Sequence, residues 1–430
     1  SRKLGMSKSL PTDLSKLVLP DLDVIASDTK LVIRKSPKFS PGGFLQSLLS
    51  SVATGQGSLN QIASELGDRV QAAMARQSIH DRFTPKSTAF LMAVVCDLME
   101  QRFKPAGTAL EGTRILRIMI EDASGVGFPK ANSEAFPAHR NHHGATAGVK
   151  IDLAFDLLSQ TIVSHSLEAA TTQDKVIGKE VMVEVRPGDL VLRDMGYFSL
   201  DEFGEIELRG ARWLTRLPLT TGVLLENGKA LETRLNRRRQ DVLDLEVSVG
   251  EVGKKCRLIA VRADQKVARK RRDERRKRAV QSGKKACRKG LIRDAWHLML
   301  TNLRKEEMKV SQLVAIYRAR WAVEIQFRAW KQSLNLDKAL NRKSNEHHMQ
   351  GLVIAGMIVH QLGMKIAGVL VGQIGRARLS YERLYDLLAI YLIKLKDFSE
   401  LINFNPDPRH ISRGKSSTQS PIESGILALN

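Results

Sequence analysis

One acid, Glu324, stands among bases and aromatic residues in the stretch YRARWAVEIQFRAWKQSL that begins at Tyr317. On a helical period, Tyr317, Arg320, Glu324 and Lys331 fall on one stripe: seven steps of about 100° return to within about 20°, and four steps to within about 40°. Two further acids close apolar runs far upstream, Asp122 after RILRIMIE and Asp194 after DLVLR. Cleaving a phosphodiester needs an in-line attack by water or a hydroxyl, which two divalent ions about 3.5–4 Å apart can support. Mg²⁺ takes hard oxygen ligands, usually a few carboxylates with water and substrate oxygens. Asp122, Asp194 and Glu324 therefore form a candidate metal cage. Arg320 and Lys331 would hold flanking phosphates, the arginine with bidentate geometry. Tyr317 would contact a sugar-phosphate or stack on a base. Singly, each residue says little: an aspartate at a strand end is commonly a turn former, and an Arg–Glu i,i+4 pair is commonly a surface ion pair worth a few tenths of a kcal/mol.

The chain around these residues is strongly basic. Its 430 residues carry a formal net charge of +22, which points to a polyanionic partner, most simply nucleic acid. A hydrophobic content of 43% is ample for large cores and two to four domains. The three cysteines, Cys96, Cys256 and Cys287, are scattered without a CxxC pair, which argues against a zinc module or a disulfide scaffold. No signal peptide is apparent. The longest apolar run, from Leu352, contains His360, Gln361 and Lys365 and reads as a buried helix rather than a membrane span. The expectation is an intracellular, soluble protein.

The elements that must position the acids follow from periodicity. Ser58, with Gln61 three residues on, predicts an N-cap, and Gly67 an end to that helix. A second helix, about residues 70–83, carries Arg76, Gln77, His80 and Arg82. The pair reads either as a helix-turn-helix, with Arg76 and Arg82 toward DNA, or as an ordinary helical hairpin. Pro85 breaks the pattern before a third helix. From residue 113 the period changes to strands: RILRIMIED ending in a Gly-rich turn, then GVKIDLAFDLL, TIVSHSL, DLVLRD and ARWLTRLPL, with helices at about 174–185 and 200–208. That layout is mixed α/β. Residues 220–294 have a strand-like texture with an Asn227–Gly228 turn, then the block RKRRDERRKR from Arg269. Such a block is usually a solvated face, and in a nucleic-acid context also a phosphate-binding surface. The helix carrying Glu324 has Ser311 as its candidate N-cap. A Leu- and Ile-rich helix from Tyr381 precedes a polar tail.

The pattern Y-x2-R-x3-E-x6-K, formed by Tyr317, Arg320, Glu324 and Lys331, resembles the signature of the YREK group of bacterial cut-and-paste DDE transposases, insertion sequence family four. IEDASG at Asp122 is similar to the first-strand motif of that family, and LRDMGYFS at Asp194 to its second. The resemblance covers about residues 105–365. It implies an RNase H-like catalytic core in which Asp122, Asp194 and Glu324 bind Mg²⁺, with Mn²⁺ as a substitute. It implies a β-rich insertion, a homodimer acting on paired double-stranded transposon ends and target DNA, and a DNA hairpin intermediate aided by a flipped base. Trp296 is the candidate for stacking on that base, the alternative being a core tryptophan. Arg328 joins Tyr317, Arg320 and Lys331 as a DNA-binding residue. The cellular setting implied is bacterial and cytoplasmic, at the nucleoid when bound to DNA.

The organisation expected is a helical DNA-binding domain (1–105), an RNase H-like core in two parts (106–217 and 296–372), a β-rich insertion with the basic segment (218–295), and a C-terminal helical dimerisation region and tail (373–430). His139, His142 and His143 are expected in a loop near DNA rather than on a metal, because Mg²⁺ does not favour imidazole. Asp152, Asp156 and Asp189 compete with Asp122 for the cage, while Glu121, next to Asp122 on a strand, points to the opposite face. Besides the transposase, two readings stay open: a nuclease with the same core that cuts without strand transfer, and an inactive DNA-binding relative.

Overall fold

A computed structural model describes residues 19–100, 113–320 and 336–412, apart from 35, 142–143, 159–160, 174–175, 177–180, 238–239, 341–343 and 375–378. The chain divides into two compact units. One comprises the described residues of Ser1–Thr108, Ala123–Thr172 and Trp321–Glu423; the other comprises those of Ala109–Asp122 and Gln173–Arg320.

The first unit opens with helices α1 (Leu22–Asp28), α2 (Pro41–Thr54), α3 (Leu59–Val70), α4 (Arg76–His80) and α5 (Pro85–Glu100). Ser40 caps α2 through the Gly43 amide, and Gly55 ends it at φ 70°. Ser58 caps α3 as its sequence predicts, its hydroxyl accepting from the Gln61 amide at 3.2 Å. Gly67 does not end that helix. The helix runs on to Val70 and stops at Gln71, whose φ is 51°. Gly67 serves a close approach instead: a Cβ there would lie 2.8 Å from the Ala72 carbonyl oxygen. The helix expected over 70–83 shrinks to five residues, about 7.5 Å of rise. Arg82 lies beyond it, with its guanidinium 3.7 Å from the centre of the Phe39 ring. Pro85 starts α5 rather than breaking a pattern, because its missing N–H falls where a helix has no partner for one.

The C-terminal helices α11 (Glu346–Ile374) and α12 (Tyr381–Lys394) complete this unit's helical layer. Numbers α6–α10 belong to the second unit. Helix α11 is long and apolar enough to cross a membrane, yet 89% of its most apolar window is buried inside the protein. Leu352, Ile354, Ile358 and Leu362 are fully buried, each such side chain contributing about 1.5–3 kcal/mol. His348 and His360 are buried on the same helix.

Burial pushes His165 and His348 from the ordinary value near 6.5 down to about 4, and His360 down to about 3. A folded pKa below the unfolded one means that the unfolded chain binds the extra protons. The stabilisation is therefore fully present above about pH 6.5 and is lost as pH falls toward 4. Calorimetry should show Tm dropping across that window; a flat Tm would contradict these burials.

The first unit also holds β2 (Pro137–Asn141), β3 (Gly144–Asp156), β4 (Thr161–Ala169) and the second half of β1 (Arg117–Phe128). Strand β3 pairs with β2 and β4, both antiparallel. The expected turn after Asp122 is absent: β1 continues through Ser124, Gly125 and Gly127 to Phe128. Gly148 explains how β3 fits beside it, since a Cβ there would meet the Val126 carbonyl oxygen at 2.7 Å. His139 lies in strand β2 rather than a loop, while His142 and His143 lie outside the described residues.

In the second unit the strand order is β1-β5-β6-β10-β9-β8-β7, with β5 (Asp189–Arg193), β6 (Arg212–Arg216), β7 (Val223–Leu225), β8 (Val242–Val249), β9 (Lys254–Arg262) and β10 (Trp296–Thr301). The first half of β1, β5 and β6 run parallel; β6, β10, β9, β8 and β7 alternate antiparallel. Helix α6 (Leu200–Leu208) connects β5 to β6, the crossover that parallel neighbours require. Of the expected strand-like insertion, residues 231–235 form helix α7 (Leu231–Leu235) instead. The turn at Asn227–Gly228 is present, with Gly228 at φ 74°. The basic block is helix α8 (Gln265–Gln281), followed by α9 (Arg288–Arg293); α10 (Val310–Ala319) follows β10. The expected helix at 174–185 falls largely outside the described residues; residues 182–184 form a 3₁₀ turn. The layout is mixed α/β, with a parallel β1-β5-β6 run and antiparallel strands beside it.

Candidate active site

Strands β1 and β5 are neighbours in parallel register, Arg117 opposite Asp189 and Ile120 opposite Leu192. Carried two residues further, the same offset sets Asp122 opposite Asp194. Side chains alternate across a strand, so Glu121 and Arg193 face the other way. Asp194 follows the last residue of β5 and caps a 3₁₀ turn, accepting from the Met195 amide at 2.6 Å.

Arg320, just past α10, brings the two acids to one point. Its Nη1 lies 3.8 Å from Asp122 Oδ2 and its Nη2 3.8 Å from Asp194 Oδ2. Both carboxylates keep part of their surface open, 20% for Asp122 and 36% for Asp194. Two carboxylates that share one cation in this way present hard oxygens, the donor type that a divalent ion takes. The residues present therefore fit a metal. Among the described residues no group of three His, Cys, Asp or Glu converges as a metal cage requires. Glu324, the expected third ligand, lies outside the described residues, as do Arg328 and Lys331.

The approach to Arg320 is held from behind. The Asp244 carboxylate of β8 orients Arg257 of β9 through bonds of 2.9 and 3.0 Å. Arg257 Nη1 then donates to the carbonyls of Arg304 and Met308, each at 2.9 Å. Those bonds fix the loop entering α10. Ser311 is not the cap: the Gln312 side chain accepts from the Lys309 amide at 3.0 Å, so the helix starts two residues earlier. Tyr317 is largely buried, and burial raises its phenol to about 12, with Arg320 and Asp194 near enough to act on it. It stays protonated at physiological pH.

On the hidden face, Glu121, Arg193 and Glu202 make a buried ion triad that sequence reasoning missed. Arg193 Nε lies 2.7 Å from Glu121 Oε2, and its Nη1 binds Glu202 of α6. Arg193 and Glu121 are fully buried. A signal was present: an acid precedes Asp122 and a base precedes Asp194, which face each other once the two strands are parallel and in register. The rival acids have other tasks. Asp189 makes a double bond pair with Arg117 at 2.9 and 2.6 Å, and Asp152 and Asp156 are buried in β3.

Next to Asp194, Met195 lines a cleft of about 530 Å³ with Arg216, Arg271, Arg275, Arg278 and Trp296. Trp296 itself is only 3% exposed, and the Arg262 guanidinium covers its ring at 4.4 Å. Stacking of a base on Trp296 thus requires a ring face to be uncovered first.

Comparison with known proteins gives the family. Residues 114–359, more than half of the chain, match the Transposase DDE domain family. The chain belongs to the DDE transposases. It is 28% identical to the transposase for insertion sequence element IS231D of Bacillus thuringiensis subsp. finitimus over 78% of this chain and 75% of that one. It is 27% identical to the IS231E transposase of the same organism over 69% of this chain and 67% of that one. The IS1151 transposase of Clostridium perfringens is 20% identical over 76% and 74%. Among solved structures, a piggyBac transposase synaptic complex with hairpin DNA aligns with TM-score 0.47 and 10% identity over 91% of this chain and 78% of that one. As an enzyme of this family the protein acts on DNA and depends on a divalent metal.

Proposed function

We propose that the chain excises a DNA element at its ends and joins it to target DNA, using Mg²⁺ held by Asp122, Asp194 and Glu324. The observation that carries this reading is the convergence of Asp122 and Asp194 on Arg320 within a DDE transposase domain. When bound, the ions would lower the pKa of an attacking water or hydroxyl and offset charge on the departing oxygen. The chain's own residues do the rest. Asp122, within β1, and Asp194, just past the end of the adjacent β5, supply negative oxygens whose positions the sheet fixes. Arg320 neutralises these carboxylates before DNA arrives. It then turns its fork to a phosphate beside the scissile bond, where two parallel N–H···O bonds define the register. Tyr317, protonated, donates its hydroxyl toward a sugar-phosphate oxygen. Glu324, Arg328 and Lys331 follow on the chain and complete the metal and phosphate contacts. Two copies acting on paired ends account for the simultaneous cuts that excision needs, and a hairpin on the element end would spare a second active site for the second strand.

The test incubates the protein with Mg²⁺, end-bearing DNA and a supercoiled target plasmid. Joined product is the expected result. Cleavage without joining would favour the nuclease reading, and neither product would favour a DNA-binding relative. On a denaturing gel, hairpin ends are expected; ends with a free 5′ terminus throughout would contradict the hairpin step.

A further inference from the structure

We propose that helix α8 is a phosphate track for duplex DNA, on which the DNA next to the scissile bond lies. The inference rests on the transposase reading above. The helix has nine bases and two acids in seventeen residues, and Ala268 is its one buried residue. So few apolar contacts cannot hold a helix down. Its arginines do so. Arg272 Nε donates to the Leu291 carbonyl at 3.0 Å, and Arg275 binds both Asp294 oxygens at 2.6 and 2.8 Å. The bond to Asp294 raises the affinity of Arg275 for its proton further. On the wheel these residues cluster around Ala268, within about 40° on either side.

The opposite face is different. Lys266, Lys270 and Lys277 are exposed there, and exposed Arg269 flanks them about 100° from Ala268. Like charges one turn apart, as at Lys266 and Lys270, repel and destabilise a helix by a few tenths of a kcal/mol each. The helix is nevertheless fixed rigidly by the arginines beneath it. A solvated surface needs no such anchoring, whereas a row of cations presented to a polyanion does. Exposed Lys284, Lys285, Arg288 and Lys289 continue the charge into α9.

Direction comes from the cleft. It is lined by Met195, which follows Asp194, and by Arg271, Arg275 and Arg278 of α8. These arginines are on the anchored side of α8, within about 80° of Ala268, so the cleft places the helix beside the residue that follows Asp194 while the exposed cations stand on its outer side. Seventeen residues rise about 25 Å, which spans about seven base pairs at about 3.4 Å each.

The experiment titrates the full chain with an end-bearing duplex across a KCl series, by fluorescence anisotropy without divalent metal. The variant carries Lys266→Gln, Arg269→Gln, Lys270→Gln and Lys277→Gln, none of which anchors the helix. Each lost phosphate contact removes about 0.9 from the slope of log K against log salt, so the slope should become shallower by about three to four. The set Lys266→Arg, Lys270→Arg and Lys277→Arg keeps the charge and should retain the wild-type slope. A steep wild-type slope unchanged in the Gln variant overturns the track and leaves the transposase reading standing. Loss of slope in the charge-conserving set also overturns it. Absence of salt-dependent DNA binding in the wild type overturns both. Tm within a degree or two of wild type is expected for either variant.

Discussion

Asp122→Asn should abolish DNA cleavage while end binding persists. The asparagine keeps the shape of the side chain and its place within β1, but removes the charge that a divalent ion requires. Metal stabilisation of the departing oxygen is worth several kcal/mol, so the expected loss is at least about 10³-fold at about 1.36 kcal/mol per tenfold. Asp194→Asn gives the same result, since the two acids converge on the same cation 3.8 Å away. The two losses will not add, because either change alone empties the same site. The measurement is single-turnover cleavage of a labelled end duplex at saturating protein, beside a binding titration of the same duplex. Cleavage within about tenfold of wild type in either variant would remove that residue from the metal set.

Arg193→Met has the second large effect, and it falls on folding. The substitution takes the cation away from Glu121 and Glu202 inside the protein. Breaking a buried ion pair from one side costs about 3–5 kcal/mol, because the remaining charge stays buried. Denaturant unfolding should show a loss of that size. Replacing the acids together with the base, as Glu121→Leu with Arg193→Met and Glu202→Leu, should recover much of the stability, since an apolar replacement of a buried ionic group is often neutral or better. A loss below about 1 kcal/mol for Arg193→Met alone would mean that the triad does not carry charge in the folded state. The triad also bears on the site. Glu121 and Arg193 are the immediate neighbours of Asp122 and Asp194, so their bond sets how the two strands meet at the site.

Much of the candidate site was legible in the sequence. Asp122 and Asp194 stand where apolar runs stop, and the structure brings both to Arg320. The fold class was legible too, because the change from helical to strand period at residue 113 is strong and α6 has clear bounds. Other features depend on partners far along the chain. A Gly-rich stretch after Asp122 reads as a turn, yet β1 continues because β3 lies beside it, with Gly148 allowing the approach to the Val126 carbonyl. The helix expected over 70–83 is short because the chain turns left-handed at Gln71 and re-enters a helix only at Arg76; Arg82, beyond it, lies over Phe39, which no local pattern announces. The cap of α10 falls at Lys309 rather than Ser311 because the Lys309 amide donates to the Gln312 side chain, which outranks a serine's preference. The triad behind the strands was hidden because it depends on strand register, which only pairing supplies. Trp296 keeps its place beside the cleft, but beneath Arg262.

The central claim is that Asp122 and Asp194, with Glu324, hold the metal at the scissile phosphate. The direct measurement is a crystal structure of the protein with cleaved end DNA and Mn²⁺, read from anomalous scattering. The account predicts anomalous peaks about 2.1 Å from carboxylate oxygens of Asp122 and Asp194, with Glu324 and a DNA phosphate oxygen completing the shell. Peaks on other carboxylates, such as Asp152 and Asp156, with Asp122 and Asp194 unliganded, would contradict it.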